Sequence, residues 1–203
     1  MQPLALGTSI RWASLLPDGY GPPCTAAVHR FLGYDESTVI FDRSALEATH
    51  HTEGMRLAIE KAGLKPRTGP WTRFQGPWNR QGPIVIVPTS RFTIKDLPRA
   101  RWQGLKERWA AVGLAVEWQT EGSLDELEEQ LRNSSLVLGS DTGPLHLADY
   151  MGVPVIGLYG FTSPTKYGPL GERSQALYEP LGVDHLSDEL IFESVRQTHA
   201  VLR

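Results

Sequence analysis

Three apolar runs that do not alternate with polar residues constrain this chain most: Ile84 to Val87, Leu136 to Gly139 and Val153 to Tyr159. A strand with one wetted face alternates, because successive side chains point to opposite faces. A run that is apolar throughout has both faces covered, which is the pattern of a parallel sheet between two layers of helices. The segments between the runs supply those helices. Arg99 to Val112 carries Trp102, Leu105 and Trp109 at helical spacing and stops at Gly113. Leu114 to Trp118 reads as a further strand, and Ser123 with Glu126 forms a capping box that opens a helix through Leu124, Leu127 and Leu131. Pro144 to Tyr150 and the segment after Ser187, through Leu190, Ile191 and Val195, complete the set. The expected fold class is α/β, with a Rossmann-like parallel sheet spanning residues 84–203.

Upstream the pattern is thinner. Residues 65–83, KPRTGPWTRFQGPWNRQGP, concentrate proline and glycine without helical or alternating periodicity and read as a linker. Residues 1–64 offer a helix over Thr25 to Leu32, a strand over Ser37 to Phe41 and a helix over Glu53 to Ala62 that stops at Gly63. That is too little to close a domain alone, so this part is expected to be a partial N-terminal α/β segment.

The formal charge of −3 provides no basic footprint for a phosphate backbone, and nucleic acid is not an expected partner. Cys24 is the single cysteine, which excludes an intrachain disulfide and fits a reducing, cytoplasmic compartment. Arg11 and Pro17 interrupt the apolar core that a signal peptide needs. No apolar run approaches the roughly 20 residues of a bilayer span, so any membrane contact is expected to be peripheral.

Ligands of an open parallel sheet sit beyond the carboxyl ends of its strands, where loops run into helix N-termini. Residues 140–148, SDTGPLHLA, fall there. A helix start offers unpaired N–H groups and a positive dipole end, and Gly143 lets a bulky anion approach the backbone, so a phosphate is the natural ligand. Thr142 can add a hydroxyl donor, and His146, in the first helical turn, can reach the same anion. Asp141 repels phosphate and is expected to accept from backbone amides or a sugar hydroxyl. The plainer reading is that Asp141 or Thr142 caps the helix and that His146 is a surface residue.

At this point the chain resembles glycosyltransferase family nine, the ADP-heptose:lipopolysaccharide heptosyltransferase-like enzymes. The family has a D-[ST]-G-x-x-H-[LI]-A motif, then a G-x-P strand and a [YF]-G-x-T loop. Here these read Asp141, Thr142, Gly143, His146, Leu147, Ala148, then GVPVIGLYG, then Phe161, Thr162, Ser163 and Pro164. Upstream, IVIVPTSRFTIKDLPRARWQGL resembles the family's strand, P-x-x-S-type loop and K-x-W-P helix start, with Pro88, Thr89, Ser90, Lys95, Pro98 and Trp102 in order and Leu97 in place of the tryptophan. The resemblance implies a GT-B architecture and a nucleotide-sugar donor, ADP-heptose or similar. Lys95 would meet the donor diphosphate, Thr89 and Ser90 would line the same cleft, and Asp141, Thr142, Gly143 and His146 would form its other side. The acceptor would be a glycan or a lipopolysaccharide-type glycolipid.

Two departures from the family shape the functional expectation. The family's strand, Gly-rich turn and helix, the source of its general base, do not precede Leu4, so the chain is expected to be truncated at the N-terminus and no catalytic base is assigned. The family's G-x-x-x-E stretch is also missing between the first donor-domain helix and the capping-box helix, so either Glu117 or Glu121 replaces its carboxylate or the nucleoside is held differently. The alternative to an enzyme is a non-catalytic nucleotide-sugar-binding module or a decayed paralogue.

Other constellations are weaker. His50, His51 and Glu53 read as a polar helix start, since adjacent histidines diverge and no further ligand has the right spacing. No G-x-G-x-x-G follows a strand, so a nicotinamide enzyme lacks its fingerprint. Neither a metal nor an organic cofactor is expected. Asp125, Glu126, Glu128 and Glu129 form a solvated helix face. Trp71 and Trp78 could stack on a sugar or nucleobase, but clasping the two domains is their expected use.

Overall fold

The computed structural model describes residues 12–14, 37–39, 50–54, 78–90 and 92–202. The chain divides into two compact units, Met1–Thr68 and Gly69–Arg203. In the first, β1 (Trp12–Ser14) and β2 (Ser37–Val39) pair in parallel, with Trp12 opposite Ser37 and Ser14 opposite Val39. Residues 51–54 are helical, and the Thr52 amide donates to Nδ1 of His50 at 3.2 Å, so this histidine caps the turn it precedes. The helix expected over Thr25 to Leu32, most of the one over Glu53 to Ala62, Cys24 and Trp71 lie outside the described residues.

The second unit is a five-stranded, wholly parallel sheet. Its strands are β3 (Ile84–Val87), β4 (Val116–Trp118), β5 (Leu136–Ser140), β6 (Val155–Tyr159) and β7 (Gln175–Tyr178), in the spatial order β4-β3-β5-β6-β7. The three non-alternating runs are the three central strands, and all of their residues are buried. Alternation within them decides which layer each side chain enters. Ile84, Ile86, Leu136, Leu138, Ile156 and Leu158 point to one layer, made by α1 (Arg99–Ala111) through Trp102, Leu105 and Trp109 and by α5 (Asp188–Leu202) through Ile191, Phe192 and Val195. Val85, Val87, Val137 and Val155 point to the other, made by α2 (Leu124–Arg132) through Leu131 and by α3 (Gly143–Tyr150) through Leu145 and Ala148.

The helix starts follow the local chemistry. The Ser123 hydroxyl accepts from the Glu126 amide at 3.3 Å, while the Glu126 carboxylate accepts from the Ser123 amide at 2.6 Å, closing the expected capping box. The layer of α1 and α5 is clamped by Arg101, which donates to the Asp188 carboxylate at 2.8 Å and to the carbonyls of Asp184 and Leu186. Three of the described strands and α-helices were not expected from the sequence: β1, then β7, a short, half-exposed edge strand with only Ala176 to Tyr178 apolar, and α4 (Pro164–Tyr167), a single turn. Trp78 packs within the second unit, against the α2–α3 layer, with the guanidinium groups of Arg80 and Arg173 at 4.9 and 4.6 Å from its ring. None of the described helices is long and apolar enough to cross a membrane.

Candidate functional site

Strand order locates the site. From β3 the chain goes to the edge strand β4, then crosses back to β5 on the other side of β3. The neighbouring strands β3 and β5 therefore send their following helices, α1 and α3, to opposite faces, and the loops beyond their carboxyl ends diverge around a crevice. Such a switch point is where open α/β sheets bind ligands. The β3 loop brings Lys95, the last residue of a 3-10 turn over Thr93–Lys95, and the β5 loop brings Asp141.

Asp141 is the hub of this crevice. Its Oδ2 accepts from Nζ of Lys95 at 2.6 Å and from Oγ1 of Thr162 at 2.8 Å, and its Oδ1 accepts from Nε2 of His146 at 2.8 Å. Three loops, those after β3, β5 and β6, are thus tied to one carboxylate. The side chain of Asp141 is only 7% exposed. Burial by itself pushes its carboxyl upward, but the hydrogen bonds from His146, Lys95 and Thr162, with the charge of Lys95, outweigh that and hold it at about 2. An ionised carboxylate can only accept, so Nε2 of His146 carries a proton and Nδ1 is the ring nitrogen left for another partner.

The other expected site residues divide into two groups. Thr142 is the N-cap residue of α3, but its side chain makes no capping bond, and Oγ1 is buried without a partner. Gly143 follows it, exposed, with no atom within 4 Å of where a Cβ would lie. Both lie beside Asp141 and His146 at the start of α3. Thr89 is exposed just beyond β3. Ser90 is occupied within its own loop: its hydroxyl donates to the Phe92 carbonyl at 2.6 Å and its amide donates to Asp96 at 2.7 Å. Asp141 differs from expectation in one respect, since the partners of its carboxylate are three side chains rather than backbone amides. The capping reading fails for the same reason, because neither Asp141 nor Thr142 uses its side chain to cap α3.

Two residues had no role assigned from the sequence. Thr162 was visible as the threonine of the loop after β6, but nothing local says that its hydroxyl reaches back to Asp141. At the start of this loop Gly160 packs closely on the turn over Val183–His185, where a Cβ would lie 2.5 Å from the Val183 amide nitrogen. Asp149, 1% exposed in α3, accepts from the amides of Leu170 and Gly171 at 2.7 and 3.0 Å and from the Ser174 hydroxyl at 2.5 Å. It anchors the loop that leads into β7. Between the two aspartates, the Tyr159 phenol is pushed up by burial, with the Asp141 and Asp149 charges adding to it, and it donates to the Tyr167 carbonyl at 3.1 Å.

Residues 119–186 match the family model of glycosyltransferase family 9 (heptosyltransferase), which bears out the family resemblance and takes in Asp141, Thr142, Gly143, His146 and Thr162. No curated protein matches the chain. Among solved structures, E. coli heptosyltransferase WaaC with ADP is 22% identical, with a TM-score of 0.60, over 82% of this chain and 61% of that one. The glycosyl transferase family 9 protein of Veillonella parvula is 16% identical, with a TM-score of 0.65, over 83% and 64%. E. coli ADP-heptose lps heptosyltransferase II is 15% identical, with a TM-score of 0.68, over 88% and 74%. At these identities the shared property is the fold, and the expected GT-B-type Rossmann-like sheet is borne out. The chain spans less than two thirds of the length of the first two.

Proposed function

We propose that this chain binds the nucleoside-diphosphate sugar of a family 9 glycosyltransferase reaction, in which a heptose-like sugar passes to a glycan or lipopolysaccharide-type acceptor, in the cytoplasm. The carrying observation is the junction of Lys95, His146 and the start of α3 around Asp141 at the switch point. The diphosphate would lie across the α3 N-terminus, where the backbone of Gly143 is open and the Thr142 hydroxyl is unpaired. Lys95 is a point charge able to follow negative charge as the anomeric carbon–oxygen bond breaks, and His146, with Nε2 donating to Asp141, can donate from Nδ1 to the same anion only when its ring carries both protons. The acceptor hydroxyl would attack the anomeric carbon from the side opposite the departing diphosphate. The family match and the neighbours named for ADP and ADP-heptose support this donor class.

A second reading, a binding module without transferase activity, draws on Asp141 itself. A carboxyl held at about 2 is a poor proton acceptor at neutral pH, so the hub of the site does not supply a general base. Calorimetry tests the binding that both readings share. One of ADP, UDP and GDP should bind the full chain, and Lys95→Ala and Thr142→Ala should each weaken it about tenfold, the scale of one charge-assisted hydrogen bond. Absence of binding, or binding by both variants as tight as the parent's, rejects the site. Sugar turnover by the chain would separate the enzyme from the module.

A further inference from the structure

We propose that Thr162 is a positioning residue for Lys95, acting through Asp141: its hydroxyl holds the carboxylate in place when the lysine turns to an anionic ligand. The inference rests on the donor reading above only for the identity of that ligand. Oδ2 of Asp141 has two donors, the Lys95 ammonium at 2.6 Å and the Thr162 hydroxyl at 2.8 Å, while Oδ1 is taken by His146. The Lys95 ammonium has three N–H donors and can meet a phosphate while it still touches Asp141, but any turn of the ammonium toward the anion weakens or gives up its bond to this oxygen. In a site where Asp141 is 7% exposed, an oxygen stripped of its only donor bears the full cost of a buried, unsatisfied acceptor. With Thr162 present the oxygen stays hydrogen-bonded, so releasing the lysine is cheaper. Without it, the carboxylate concentrates its charge on Lys95 and grips it harder.

Two arms test this on the full chain. In the first, without nucleotide, trace acetylation by acetic anhydride is read at Lys95 by mass spectrometry against Lys106, which sits over the Trp118 ring. Thr162→Val should slow Lys95 acetylation by about twofold to tenfold, the range of one neutral hydrogen bond. Thr162→Ser should restore the parent rate, and Asp141→Asn should raise it above the parent. A merely structural role would loosen the loop and speed Lys95 instead. Thr162→Ala repeats the measurement without the added methyl, should valine disturb folding. In the second arm, ADP affinity should fall by a similar factor in Thr162→Val and return in Thr162→Ser. Slowed acetylation with no ADP binding by any variant would uphold the role of Thr162 and reject the nucleotide. Unchanged or faster Lys95 acetylation in both Thr162→Val and Thr162→Ala overturns the inference.

Discussion

Two buried aspartates lie near opposite ends of α3, Asp141 just before its start and Asp149 in its last turn, and they are held in opposite ways. Asp141, before the helix, takes three side-chain donors, from the loops after β3 and β6 and from the first turn of α3, and His146 among them is 36% exposed. Asp149, eight residues later, takes the backbone amides of Leu170 and Gly171 and a serine hydroxyl, with almost no exposure. Backbone amides cannot be re-aimed without moving the chain, whereas an ammonium or imidazole can rotate toward a ligand at the cost of one exchanged hydrogen bond. Burial alone would have ranked the two as equals. The chemistry of their donors makes one an exchangeable centre and the other a fastening for the loop before β7.

The largest expected effect falls on the fastening. Asp149→Ala leaves two amides and a hydroxyl without their acceptor and should cost about 3 kcal/mol, read as a lowered urea midpoint at unchanged slope. The folded fraction should keep its nucleotide affinity within about twofold. A large affinity loss would erase the functional distinction between the two aspartates.

The next effect is acid sensitivity. The Asp141 carboxyl is more acidic when folded, about 2 against an ordinary 3.8, so the folded state binds fewer protons than the unfolded one. Its contribution, about 2 kcal/mol, is fully present at neutral pH and is lost as pH falls through this window. Asp141→Asn should flatten the stability-versus-pH curve in that range, as followed by denaturation at a series of acid pH values. A curve as steep as the parent's would mean that the three donors do not stabilise the ionised form.

The smallest effect sharpens the comparison at two glycines. A Cβ on Gly171 would lie 2.5 Å from Asp149 Oδ1 and 2.8 Å from Ser174 Oγ, so Gly171→Ala should cost about 1 kcal/mol through displacement of that anchor. Gly143→Ala meets open space and should change stability by less than about 0.5 kcal/mol, while its methyl stands where the diphosphate is proposed to approach. Thermal melts and calorimetry on the same two proteins should therefore respond in opposite order.

The sequence by itself determined the layers. Apolar runs without alternation at Ile84 to Val87, at 136–139 and at 153–159 require two covered faces, and the spacing of Trp102, Leu105 and Trp109 requires a helix to cover one of them. It also located Asp141, Thr142, Gly143 and His146 at a helix start, because the Gly-Pro step and the helical register are both local. β7 was not legible, since a four-residue edge strand that buries its residues only in part needs no long apolar run and takes its place from the ladder that β6 offers. Only the tertiary structure decided what meets Asp141. Lys95 is 46 residues away and Thr162 is 21, and no local pattern says that the loops after β3 and β6 close on the same carboxylate. That meeting follows from strand order, which places β5 between β3 and β6, and strand order is set by how whole strands and helices pack rather than by any one segment.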